Sequence, residues 1–274
     1  MCPKNEPTEG AGRVDPAVRP VASPTEGRRE RLTYRFEIYR YAAAGAAAPR
    51  FQAYEVTVER NMSVLEALVK IQDEQDPSLA FRYACRGAVC GSCAMSVNGN
   101  LQLACRVQLR TLRDRRVVLE PLPGFEILKD LVVDLDAFWE KYRRVQPWLH
   151  AELSGDKESH VTEREQARID RYVNCILCGL CYAACPVTRR NPGFTGPAAL
   201  AKLYRFLADS REDREPATLR QENSPDGLWA CHTVMECCEV CPRDVRPAEG
   251  IRGLRRMALT DQVHQLLGRT RREA

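Results

Sequence analysis

Of the thirteen cysteines in this 274-residue chain, eleven fall into three tight groups. Cys85, Cys90, Cys93 and Cys105 form the first, Cys175, Cys178, Cys181 and Cys185 the second, and Cys231, Cys237 and Cys241 the third. Cys2 and Cys238 stand outside the spacing. The count is odd, and no hydrophobic signal core follows Met1, so a reducing compartment and thiolate–metal chemistry are expected rather than a disulfide framework. Four residues between the first two cysteines and two between the next is the plant-type [2Fe–2S] spacing. Two bridged irons need four thiolates at two tetrahedral centres, and a glycine-bearing loop can turn backbone N–H groups toward the sulfurs. Gly87 and Gly91 are expected to permit the backbone angles of that loop, and Cys105 follows a hairpin strand. The alternative, a zinc site, more usually draws on two short-spaced pairs.

Cys175-x2-Cys178-x2-Cys181-x3-Cys185-Pro186 is the bacterial ferredoxin run, whose fourth cysteine ligates the other cluster in two-cluster proteins. Three thiolates two residues apart on a tight helical turn would grip three corners of a cubane, against which stands a zinc or disulfide reading. A complete second run would place cysteines at 231, 234, 237 and 241, but position 234 is Val234. Valine cannot ligate iron, so one corner lacks a protein ligand. The expected assembly is a [3Fe–4S] cluster on Cys185, Cys231 and Cys237, with Cys241 completing a [4Fe–4S] cluster on Cys175, Cys178 and Cys181. Cys238 neighbours a ligand, but adjacent helical side chains lie about 100° apart, so it is read as a bystander; Cys2 is read as incidental.

These ligands need rigid supports. Leu32, Tyr34, Phe36 and Ile38 alternate with polar residues, and Tyr54, Val56 and Val58 do so again, which predicts a hairpin. Ser63 to Glu66 reads as a capping box opening a helix through Leu65, Leu68, Val69 and Ile71. Asn98-Gly99 predicts a tight hairpin, and Val117 to Leu119 a further strand. Pro121, Pro123 and Gly124 break the pattern. From Asp136 onward helix signals dominate: a second capping box at Thr162–Glu165, a helix over 198–208 behind Pro197, and a last helix opened by Pro247.

The expected division is therefore a mobile, proline-rich tail over 1–30, a mostly-β [2Fe–2S] domain over 31–135, and an all-α two-cluster domain over 136–274. A net charge of +4, from 41 basic and 37 acidic residues, is too scattered for a nucleic-acid surface. No run approaches the roughly 18 apolar residues of a membrane span.

With the groups in this order, the chain resembles the iron–sulfur subunit of the succinate dehydrogenase and fumarate reductase family. The likeness extends to Asn191-Pro192, Gly196 to Ala199, Asp209 to Arg211 and Asp226 to Trp229. Gly179 to Pro186 and Glu239 to Pro242 look closest to bacterial fumarate reductases. The resemblance implies an α+β architecture, with a β-grasp plant-type ferredoxin-like domain before a helical bacterial ferredoxin-like one. It implies a flavoprotein partner carrying FAD and interconverting succinate and fumarate. Membrane-anchor subunits and a quinone would complete the assembly, with this chain peripheral on the cytoplasmic face of the cell membrane. The three clusters would pass single electrons between flavin and quinone.

By the same resemblance, His232 matches a position lining the quinone pocket, and Arg255 stands where the family often has a lysine near the quinone. Each has an open second reading, His232 as a histidine packed beside a cluster and Arg255 as a solvated helix-face cation. Arg190 replaces a tryptophan found in some succinate dehydrogenases. Two other functions remain as alternatives. One is a thiol-driven fumarate reductase, whose subunit carries an extra cysteine-rich domain not seen after Cys241. The other is a zinc-stabilised interaction protein.

Overall fold

The structure, a computed structural model, describes residues 31–42, 48–58, 61–151, 158–213 and 216–267. The expected tail over 1–30 lies outside the described residues.

The first half is built on alternation. Strands β1 (Leu32–Arg40) and β2 (Arg50–Val58) pair antiparallel, with Phe36 opposite Tyr54. Tyr34, Phe36, Ile38, Tyr54, Val56 and Val58 all face inward and are buried. Helix α1 (Val64–Glu74) covers that face with Leu65, Leu68 and Ile71, and its expected Ser63–Glu66 capping box is formed. Each such side chain contributes about 1.5–3 kcal/mol on full burial. Strands β3 (Ala94–Val97) and β4 (Asn100–Leu103) turn on Asn98 and Gly99, both with positive φ, as the primed hairpin turn requires. β5 (Arg116–Glu120) then runs parallel to β1 and antiparallel to β3, giving the order β2-β1-β5-β3-β4. A short ribbon, β6 (Ile127–Lys129) and β7 (Val132–Val133), follows.

One buried polar network was not legible beforehand. Arg40 at the end of β1 donates from Nε to Asp130 (3.0 Å), from Nη1 to the Tyr54 hydroxyl (2.5 Å) and to Asp76, and from Nη2 to Ser78 (2.8 Å). Asp130 also accepts from the Ala80 and Tyr41 amides. The network pins the segment that leads into the first cysteine loop. Burial pushes the Asp76 carboxyl up, but hydrogen bonds from Ser78, Tyr54 and Arg40 outweigh it and hold the group well below the usual carboxylate range.

The second half is helical: α2 (Asp136–Arg144), α3 (Glu163–Val173), α4 (Leu180–Ala184), α5 (Pro186–Arg190), α6 (Pro197–Leu207), α7 (Ala217–Glu222), α8 (Glu236–Glu239) and α9 (Pro247–Leu266). The Thr162–Glu165 capping box opens α3, and prolines open α5, α6 and α9. α6 packs along α9, where Leu200, Leu203, Ile251 and Leu254 are buried together. Leu180 and Ala183 of α4 are buried with the sheet core, and Ile176, Cys178 and Val240 pack against it. Arg106 Nη1 donates to the Pro242 carbonyl at 2.9 Å, a second tie between sheet and helices.

Candidate metal centres

The first cysteine loop folds around its own sulfurs. The amides of Gly87, Val89 and Cys90 donate to Cys85 Sγ at 3.4, 3.3 and 3.2 Å, and the Cys85 amide donates to Cys90 Sγ at 3.5 Å. Successive amides turned inward require left-handed backbone. That conformation falls on Arg86 (φ 54°), Ala88 (φ 58°) and Gly91 (φ 75°). The expectation for Gly91 therefore holds, but Gly87 is not the residue that turns. Its neighbours on both sides take the left-handed angles, because alternate residues must flip to point consecutive N–H groups one way. The Ala104 amide donates to the Cys93 carbonyl at 3.0 Å, which fastens the turn bearing Cys105 beside the loop.

The sulfurs of this loop sit in contrasting environments. The Cys85 amide and the Ser92 hydroxyl draw the Cys90 thiol down to about 6, whereas burial pushes Cys93 up to about 12. Cys93 is buried while Cys85 is exposed.

The second and third groups interleave. Cys175, Cys178, Cys181 and Cys241 line one cavity, walled by Ile176, Leu177, Ala198, Ala201, Val245 and Pro247. Cys185, Cys231 and Cys237 line another, with Val187, Phe194, Val234, Ala248 and Ile251 among its walls. Each cavity thus draws cysteines from both runs. The wrap around the first cavity is not the expected helical turn. Cys175 and Cys178 lie in irregular chain containing left-handed Leu177 (φ 54°) and Gly179 (φ 79°), and only Cys181 stands on α4. A helix would set the three sulfurs in a row along one face, whereas this loop curls them around a void.

Burial raises the thiols of Cys178, to about 11, of Cys181 and of Cys241. Such thiols ionise only when a cation compensates them, so metal loading here expels protons. Among the described residues, no three His, Cys, Asp or Glu side chains gather tightly enough to hold a single metal ion. Sulfurs set apart around a cavity or a loop fit a polynuclear cluster, whose ligands are shared among several irons. The residues present therefore fit iron–sulfur groups at all three places.

The remaining candidates fall at the rim of the third centre. Val234 and His232 line that cavity and are exposed, Val234 by 52%. Cys238 is half-buried and does not line either cavity; a charge on it would bear on the Tyr172 hydroxyl, which burial already raises. Arg255 is half-buried, with its guanidinium on the backbone of Leu228 and Cys231.

The first two centres meet at Gly91, a contact sequence reasoning missed. A Cβ at Gly91 would lie 2.7 Å from Cys178 Cβ and 3.0 Å from its Cα, closer than a carbon can approach. The first loop thus rests on a cysteine of the second group. The signal was present as a glycine between two candidate ligands, but the surface it faces comes from 87 residues further along the chain.

A β-grasp-like sheet with a cysteine loop, joined to a helical pair of cysteine-lined cavities, defines an iron–sulfur electron-transfer protein. Residues 35–140 match a 2Fe-2S iron-sulfur cluster binding domain, and residues 172–245 a 4Fe-4S dicluster domain. The chain is 40% identical over 234 residues to the fumarate reductase iron-sulfur subunit of Mycobacterium tuberculosis, covering 84% of this chain and 95% of that protein. It is 39% identical over 224 residues to the succinate dehydrogenase iron-sulfur subunit of Coxiella burnetii, covering 80% and 94%. The fold superposes on a chain of the Mycobacterium smegmatis Sdh1 complex in the apo form with a TM-score of 0.77, at 24% identity over 85% of this chain and 98% of that one. The chain belongs to the family of fumarate reductase and succinate dehydrogenase iron–sulfur subunits.

Proposed function

We propose that this subunit relays single electrons through three clusters between a flavoprotein that carries FAD and a quinone held where the subunit meets membrane-anchor chains. In this reading Cys85, Cys90, Cys93 and Cys105 hold a [2Fe–2S] cluster. Cys175, Cys178, Cys181 and Cys241 hold a [4Fe–4S] cluster, and Cys185, Cys231 and Cys237 a [3Fe–4S] cluster. The carrying observation is the exchange of cysteines between the two helical cavities, with Val234 where a further ligand of the third group would stand. The clusters supply one-electron redox chemistry. The chain would hold the second and third in largely apolar walls, turns amides toward the sulfurs of the first loop, and seats that loop on Cys178 through Gly91.

Among the described residues no helix is long and apolar enough to cross a membrane, so the assembly would reach the bilayer through partners, on its cytoplasmic face. His232, exposed at the rim of the third cavity, would face the quinone, where an imidazole can donate a hydrogen bond or a proton.

The test is anaerobic purification of the complex followed by iron analysis and electron paramagnetic resonance. The expected result is about nine irons per copy of this subunit, with three distinct signals, one of the oxidised three-iron type. A four-iron third cluster in the unmodified protein overturns the ligand assignment, and colourless protein holding zinc overturns the relay. Co-purification of a hydrophobic anchor separates quinone coupling from coupling to a thiol-handling chain.

A further inference from the structure

Arg255 sits in the middle of α9, one turn beyond Ile251, which lines the third cavity. Its half-buried side chain folds back onto the backbone. Nε and Nη2 donate to the Leu228 carbonyl at 3.0 and 2.7 Å, and Nη2 also donates to the Cys231 carbonyl at 2.5 Å. The guanidinium carbon lies 5.1 Å from the centroid of the Trp229 ring. Leu228 to Ala230 form a single 3-10 turn, and Cys231 is the residue at which the chain leaves it. Beyond Cys231 the loop passes through left-handed Thr233 (φ 58°) and Met235 (φ 72°) before α8, so its path is irregular and carries backbone strain. One planar fork therefore holds both ends of the turn and stacks on the ring between them. Lysine, a point charge on a flexible stem, has donors for both carbonyls but no planar fork to hold them and stack on the ring in one fixed geometry.

We propose that Arg255 is a positioning residue for the third metal centre: it fixes the Cys231 backbone beside the cavity by clasping the turn that carries Trp229, and its guanidinium is committed to that task rather than to a quinone. The proposal rests on the reading of Cys231 as a ligand of the third cluster. It adds a different role for a residue at which family resemblance implied a quinone contact.

The experiment compares Arg255→Lys and Arg255→Ala in the assembled complex, freed of quinone, by resonance spectroscopy and by cluster loss under an iron chelator. Partners that orient a ligand typically contribute 10- to 100-fold to metal affinity. Arg255→Ala is expected to lose the third-cluster signal roughly 10-fold faster than the unmodified complex, with the first two signals unchanged. Arg255→Lys keeps the charge and the helix, and is expected to show an altered third-cluster line shape with intermediate loss. If Arg255→Ala fails to assemble, the lysine variant decides. An unaltered third-cluster spectrum and loss rate in Arg255→Lys, whatever happens to the KM for quinone, overturns the proposal. Absence of any three-iron signal in the unmodified complex instead defeats the underlying cluster assignment, a separate failure.

Discussion

The joint between the first and second centres and the rim of the third solve opposite problems. At the joint, Gly91 brings one cysteine loop against Cys178 with no room for a methyl group, and the core of the sheet continues into α4. At the rim, His232, Thr233, Val234 and Glu236 stand exposed on one side of a cavity whose opposite walls, among them Val187, Phe194, Ala248 and Ile251, are buried, and Trp229, two residues before Cys231, is exposed too. Close packing keeps two centres at a fixed separation and shuts out water. Exposure of apolar and aromatic groups leaves a centre accessible to something outside the chain. For the proposed relay, the contrast fits internal hand-over at one end and exchange with a partner at the other.

The supports of the joint are the place to break this comparison hardest. Asp130→Ala removes one of the two carboxylates paired with the buried Arg40 and strands the Tyr41 and Ala80 amides, so a loss of about 3 kcal/mol is expected in chemical denaturation, with the first-cluster signal lost before the others. An unchanged midpoint sinks the claim that this network holds the cysteine loop. Gly91→Ala combines an unfavourable φ with a clash, and a cost on the order of 3 kcal/mol is expected, together with weaker magnetic interaction between the first two clusters. Gly87→Ala in the same loop meets only the Cys85 carbonyl at 3.6 Å and is expected to be near neutral. Equal effects from the two would remove any special status from the Gly91 contact.

A smaller effect concerns acid. The Asp76 carboxyl is depressed in the folded state, so its contribution is present above the ordinary carboxylate value of about 4 and is lost as pH falls through the lower folded value. Asp76→Asn is expected to flatten the acid limb of the stability curve below about pH 4 while leaving its slope near neutrality unchanged. The rim sharpens the comparison from the other side. His232→Ala and Val234→Cys are both surface changes expected to move stability by no more than about 0.5 kcal/mol. His232→Ala is expected to raise the KM for quinone, whereas Val234→Cys converts the three-iron signal toward a four-iron one. A large stability loss from either would mean the rim is structural.

Much of the fold was legible because local chemistry and global packing agree. Both capping boxes, the Asn98-Gly99 turn, the alternation in β1 and β2, and the prolines at the starts of α6 and α9 all rest on neighbours within a few residues. The shape of the cysteine loops was less legible. Left-handed angles fell on Arg86, Ala88 and Leu177, residues with no intrinsic preference for them, because the amides and sulfurs had to face inward. The Arg40 network was invisible for a different reason: a buried arginine is unusual, and its partners Asp76 and Asp130 are far apart in the chain.

Cysteine spacing and the valine at 234 by themselves pointed to which elements carry the metal chemistry and to the proposed division of ligands, since each tetrahedral iron accepts sulfur from a short menu of loop lengths. Only the tertiary structure decided how the centres meet and end. The glycine contact at Cys178, the clasp of Arg255 on Cys231, and the exposure of His232 each depend on surfaces brought together from distant segments, and the cost or gain of such contacts is set by close packing that no local pattern encodes.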